Sequence, residues 1–115
     1  MLIYKILLSA EWAEFEASGT FDGSPFDRSS GFVHCSSRAQ VADVARRLFA
    51  EDQEFVVVAL DARPLGRAVR WEQSPDGGSY PHVYAQLPRA AVVAVHRVPR
   101  ASLVDDIVPG EAPTT

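Results

Sequence analysis

Three short segments of this chain each set two polar side chains two residues apart: His34 with Ser36, Arg70 with Glu72, and His82 with Tyr84. On a strand, side chains two apart share a face. If the three strands lie side by side with these faces aligned, six functional side chains line one cleft. Their types suit a nucleotide-like or phosphorylated small molecule. Imidazole and phenol groups donate or accept near neutral pH, a glutamate holds ribose hydroxyls or acts as a base, and an arginine clamps a phosphate. His34, Glu72 and His82 are the candidate catalytic residues, and Ser36, Arg70 and Tyr84 the candidate ligand-binding ones. Two plainer roles compete. Half-buried strands yield such alternation with their polar members facing water, and a histidine in an apolar stretch is often a core residue satisfied by one hydrogen bond.

Other chemistries find less support. A metal-assisted hydrolase could draw on His34, His82 and Glu72, but no close spacing of the His-x-x-x-His kind accompanies them, and no metal is assigned. Cys35 alternates with His34 and so points away from it, toward the core, where thiols are inert. His96 stands among valines in a late strand and reads as structural. There is no Walker loop, no Gly-x-Gly-x-x-Gly and no Gly-x-Ser-x-Gly.

The elements that must position these residues are legible. Gly31–Phe32–Val33–His34–Cys35–Ser36 reads as a buried strand running into a helix. Ser37 and Gln40 form a capping-box pattern at its start, and a helix N-terminus beside polar strand residues suits an anionic or sugar-phosphate ligand. That helix runs from about 38 to 50, with Val41, Val44, Ala45, Leu48 and Phe49 inward. Residues 2–8 form a strand. Ser9 caps a short helix through about Ala17, with Trp12 and Phe15 inward, and Gly19 stops it. Residues 19–31 hold three glycines, a proline, two aspartates and four Ser/Thr, so they read as a long loop pinned by Phe21 and Phe26. In that loop Asp27 could reach His34, although a turn-forming aspartate is the commoner role. The apolar run 55–60 is a strand covered on both faces, ending at Asp61. Residues 68–72 alternate, which places Trp71 in the core, opposite Arg70 and Glu72. A loop over 73–80, an extended segment at 81–85 and a strand at 91–98 follow. The prediction is a single α/β domain of the α+β type over residues 1–108, with five to seven short strands, two main helices and a disordered tail over 109–115.

Composition sets the outer limits. The chain has 115 residues, enough for one modest core, and a net charge of −4, which argues against broad electrostatic binding to nucleic acid. Ten of its eleven basic residues are arginine; a GC-rich genome accounts for most of that bias. The one cysteine allows no intrachain disulfide and favours a reducing, cytoplasmic setting. Lys5 and the acidic residues after it make the N-terminus a strand rather than a signal peptide, and no run is long enough to span a bilayer.

Read in order, Tyr4–Lys5–Ile6–Leu7, Glu11–Trp12, Gly31 through Ser36, Gln40–Val41, Leu60–Asp61, Arg70–Trp71–Glu72 and Pro81–His82–Val83–Tyr84 resemble a family of small bacterial proteins, domain of unknown function 952 (DUF952). The resemblance covers roughly residues 3–100. The family has no established reaction, and its fold is similar to that of the ADP-ribosyltransferases, a split, twisted sheet around an NAD-binding cleft. By that wider resemblance His34 and Ser36 look like the strand element that binds the nicotinamide-side ribose. Tyr84 and Glu72 are then the residues available to stack on nicotinamide and to hold ribose. Here Glu72 precedes Tyr84, whereas the superfamily order is His, Tyr, Glu. The resemblance therefore implies an NAD- or ADP-ribosyl-processing enzyme with NAD as its cofactor or substrate. The alternatives are a non-catalytic ligand-binding domain and the metal-assisted hydrolase. The expected partner in every case is a small molecule.

Overall fold

A computed structural model describes residues 1–110. Its strands are β1 (Leu2–Leu7), β2 (Thr20–Phe21), β3 (Val33–His34), β4 (Phe55–Asp61), β5 (Val69–Gln73), β6 (Ser79–Val83), β7 (Leu87–Pro88) and β8 (Val92–Val98). Its α-helices are α1 (Ser9–Ser18), α2 (Pro25–Ser30), α3 (Val41–Leu48) and α4 (Val104–Ile107). The eight strands exceed the expected five to seven because two-residue ladders such as β2 and β7 leave no pattern in the sequence.

The apolar run 55–60 is the centre of the molecule. It becomes β4, the middle strand of the antiparallel sheet β1-β4-β8, with Phe55 through Leu60 all buried. Alternation divides its side chains between two cores. Val56, Val58 and Leu60 pack with Ile3, Leu7, Trp12 and Phe15 on one face. Phe55, Val57 and Ala59 pack with Tyr4, Val41, Ala45, Val98 and Val104 on the other. Each buried valine, leucine, isoleucine and phenylalanine among them contributes roughly 1.5–3 kcal/mol of apolar burial. The result is a mixed α/β fold, as the patterning predicts, and its sheets are antiparallel. Among the described residues no helix is long and apolar enough to cross a membrane.

The strands of the second sheet, β3-β6-β5, carry His34, His82, Arg70 and Glu72, with Ser36 and Tyr84 just beyond the ends of β3 and β6. Register sets His34 opposite His82 and His82 opposite Arg70, and sets Glu72 opposite Tyr80. Directly opposed residues share a face, so His34, His82, Arg70, Glu72 and Tyr84 do project from one face of this sheet. Ser36 joins the two sheets: it exchanges backbone hydrogen bonds of 2.8 Å with Tyr4 in both directions.

Three expectations need correction. The loop over 19–31 contains α2. Ser24 caps it, Pro25 opens it, Asp27 reciprocates the cap, and Gly31 ends it at φ +87°. The helix expected over 38–50 is a 3₁₀ turn, Arg38–Gln40, followed by α3; it stops at Leu48, and Phe49 leaves it to stack on Phe55. Trp71 points opposite Arg70 and Glu72 as expected, but it lies on the edge strand β5 and is 43% exposed, left uncovered by the described residues. Of the expected tail, Pro109 accepts a hydrogen bond from Arg38 Nε at 3.1 Å through its carbonyl, and residues 111–115 lie outside the described residues.

Candidate functional site

β3 and β6 bring the two histidines together. Their rings meet edge to face with centroids 5.5 Å apart. Phe32, two residues before His34 and on the same face, stacks on His82 at 4.1 Å, and Phe26 from α2 stacks on His34 at 4.5 Å. Both imidazoles line a cleft of about 800 Å³ between the second sheet, α2, α3 and the end of β1. Phe26, Phe32, Leu48 and Tyr80 make its walls largely apolar, and Ser36 lies in its lining.

Each imidazole is held by a carboxylate. His34 Nδ1 lies 2.6 Å from Asp27 Oδ1, and His82 Nδ1 lies 2.8 Å from Glu72 Oε1. An ionised carboxylate can only accept, so in each neutral ring Nδ1 carries the hydrogen and Nε2 is the acceptor. Among the described residues neither Nε2 has a protein hydrogen-bond partner.

The two carboxylates differ in setting. Asp27 is 2% exposed. Burial pushes its carboxyl up, but the Lys5 ammonium, the backbone N–H groups of His34 and Ser24, and the His34 ring outweigh that and hold it at about 2. Gly23 permits this packing: a Cβ there would stand 2.8 Å from Asp27 Cβ. Glu72 is more open. It accepts from the Tyr84 hydroxyl at 2.7 Å as well as from His82, and those bonds hold its carboxyl below its ordinary value. The Tyr84 hydroxyl is pushed up by the same bond.

Ser36 adds a third polar point. It is 3% exposed, and its hydroxyl has no hydrogen-bond partner among the described residues. Every wholly enclosed side-chain nitrogen or oxygen among those residues does have one, so the Ser36 hydroxyl opens onto the cleft it lines.

Of the six candidate residues, His34, Ser36 and His82 therefore meet in the cleft. Glu72, Arg70 and Tyr84 do not line it. They belong to the same sheet face but sit farther toward the edge, where Glu72 backs His82 and the Arg70 guanidinium lies 4.7 Å from the Tyr84 ring centre. Glu72 is connected to the cleft through His82, which it holds, and Tyr84 is bonded to Glu72. Cys35 is buried, as expected, and burial pushes its thiol up to about 12. His96 lies on β8, outside the cleft. Among the described residues no three His, Cys, Asp or Glu side chains are grouped to hold a metal ion.

The family model described as protein of unknown function, DUF952, matches residues 6–95. The chain belongs to the DUF952 family. Among solved structures, it is similar to the crystal structure of protein CC0527 from Caulobacter crescentus, at 39% identity and a TM-score of 0.79, covering 84% of this chain and 85% of that one. The solution NMR structure of CC0527 is 35% identical with a TM-score of 0.78, covering 93% of this chain and 97% of that one. No curated protein matches.

Within this DUF952 domain, the site residues that sequence patterning misses are Lys5 and the aromatic walls. Lys5 reads as a break in an apolar run, and its pairing with Asp27 depends on a contact across 22 residues of chain. Phe32 and Phe26 carry a readable signal: Phe32 is the third member of the period-two row that includes His34 and Ser36.

Proposed function

We propose that the cleft binds the ribosyl-and-base portion of a nucleotide-like molecule, NAD or an ADP-ribosyl compound, and acts on it by acid–base chemistry. The observation that carries this reading is the pair of carboxylate-held imidazoles facing one cleft. Their two Nε2 atoms and the Ser36 hydroxyl are polar points in a lining that is largely apolar and aromatic, a pattern suited to a ribose with a flat base beside it. An unprotonated Nε2 accepts a proton from a hydroxyl or a water, and a protonated one gives it to a leaving group. Asp27 and Glu72 hold the rings in the orientation this needs, in the way the buried aspartate does in a catalytic triad.

The lining fits the nucleoside half of such a ligand better than its phosphates. Lys5 is taken up by Asp27, and Arg47 at the rim is bonded to Asp76 at 2.9 Å and to the Tyr80 hydroxyl at 2.8 Å. Glu72 backing His82 also departs from the ADP-ribosyltransferase pattern, in which the glutamate meets ribose directly. We therefore place the protein beside those enzymes in ligand class and treat its reaction as histidine-based. An ADP-ribosyltransferase-like sheet and a cytoplasmic setting belong to the same reading.

Thermal denaturation with NAD, ADP-ribose, nicotinamide riboside, adenosine and AMP tests it. A ligand at about 100 times its Kd stabilises by roughly 2.7 kcal/mol, a rise in Tm on the order of 10 °C for a domain of this size. His34→Ala and His82→Ala should each abolish that rise. Turnover of the stabilising ligand separates an enzyme from a non-catalytic binding domain.

A further inference from the structure

Lys5 is the only lysine in the chain, and it is buried. It stands on β1 between Ile3 and Leu7, which face the apolar core, where the alternation asks for another apolar residue. Burying an ammonium costs several kcal/mol unless it is paired and hydrogen-bonded. Here it is both: Nζ is 3.0 Å from Asp27 Oδ2 and donates to the His34 carbonyl at 2.9 Å.

Asp27 has no spare acceptor capacity either. Its Oδ1 accepts from the His34 backbone N–H at 3.0 Å and faces His34 Nδ1 at 2.6 Å, while Oδ2 accepts from the Ser24 N–H at 2.9 Å and from Lys5. His34 is thus gripped at its N–H, its ring and its carbonyl by one ion pair. Three of the four contacts to Asp27 come from fixed donors, the His34 and Ser24 N–H groups and the Lys5 ammonium, and the fourth, His34 Nδ1, must donate when the carboxylate carries no hydrogen. A protonated Asp27 would instead donate to His34 Nδ1, which would put the hydrogen of the neutral ring on Nε2.

We infer that Lys5 is a positioning residue for His34: it acts through Asp27, keeping that carboxylate ionised so that the neutral imidazole bears its hydrogen on Nδ1 and offers Nε2 to the cleft. The inference rests on the proposed function only in taking Nε2 as the ligand-facing atom. Asp22 and Arg28 share a second, smaller pocket with Asp27, and the Cys35 thiol close to it is kept neutral by burial.

The test uses the ligand-free chain, so it succeeds or fails separately from any ligand screen. Long-range proton–nitrogen NMR correlations should show neutral His34 as the Nδ1–H tautomer, and carbon NMR should show the Asp27 carboxyl titrating below 3.8. Lys5→Met should raise the proton affinity of Asp27 about tenfold or more, with Lys5→Arg restoring most of the difference. Asp27→Asn should abolish the Nδ1–H preference of His34. If Lys5→Met does not fold, the wild-type tautomer and Asp27 titration decide alone. An Nε2–H tautomer in the wild type, an Asp27 titration at or above 3.8, or an Asp27 titration unmoved in folded Lys5→Met would overturn the inference. A protein that binds none of the nucleotides yet shows the Nδ1–H form overturns the proposed function and leaves this inference standing.

Discussion

Replacing Asp27 by asparagine probes four polar contacts to one buried carboxylate. The carboxylate caps α2, fixes His34 and neutralises Lys5. Asparagine keeps the size but loses the charge, and its amide hydrogens would face donors. Breaking a buried ion pair by removing one partner costs about 3–5 kcal/mol, because the other charge stays behind. That is a large share of a total stability of about 5–15 kcal/mol. The pH dependence is the sharper signature. Folding lowers the carboxyl from 3.8 to about 2, which corresponds to on the order of 2 kcal/mol. Because the folded value lies below the unfolded one, this stabilisation is present above about pH 4 and is lost as the pH falls through about 2. Urea unfolding of both proteins from pH 7 to pH 2 measures it. The stability gap between wild type and Asp27→Asn should be widest at neutral pH and should narrow by roughly 2 kcal/mol at the acid end. A gap that stays constant with pH, or one below about 1 kcal/mol at pH 7, would refute the role assigned to Asp27.

Trp71→Ala should cost less than about 2.5 kcal/mol, under the 3–5 kcal/mol range for a fully buried aromatic, and emission from a Trp12→Phe protein should report a wet Trp71; a blue-shifted spectrum would contradict the edge-strand position. The Cys35 thiol should resist a bulky labelling reagent in the native protein at pH 8, and Cys35→Ser should cost about 1–3 kcal/mol through a buried hydroxyl while leaving ligand binding intact. Glu72→Gln should weaken ligand binding by about threefold to tenfold, less than His82→Ala, because Glu72 acts through the ring and not on the ligand; calorimetry showing the reverse order would return Glu72 to direct contact.

The parts of this fold set by local pattern are readable in the residues. The 55–60 run can only be a fully covered strand, and Ser37–Gln40 marks the start of a helical segment; Gln40 does accept from the Ser37 N–H at 2.9 Å. Period two correctly puts His34, His82, Arg70 and Glu72 on one face. Strand order is not readable. Knowing that Glu72 and His82 share a face does not say that β6 is central and β5 an edge, and that order decides that His82 lines the cleft while Trp71 is left uncovered. The segment holding α2 reads as loop because its glycines and serines outweigh a capping signal, Ser24–Pro25 with Asp27, lying in plain view. Lys5 is illegible for a different reason: a buried lysine is explained only by its partner, and the partner comes from another element.

In the proposed function His34 and His82 present their Nε2 atoms to one ligand. The most direct measurement is an NMR titration of the native chain with NAD, ADP-ribose and nicotinamide riboside, following the side-chain nitrogens of His34, His82 and His96. Binding should move the Nε2 signals of His34 and His82 together, along one saturation curve, and leave His96 unmoved. A ligand that saturates while both Nε2 signals stay still, or that moves only one of them, would contradict the shared cleft.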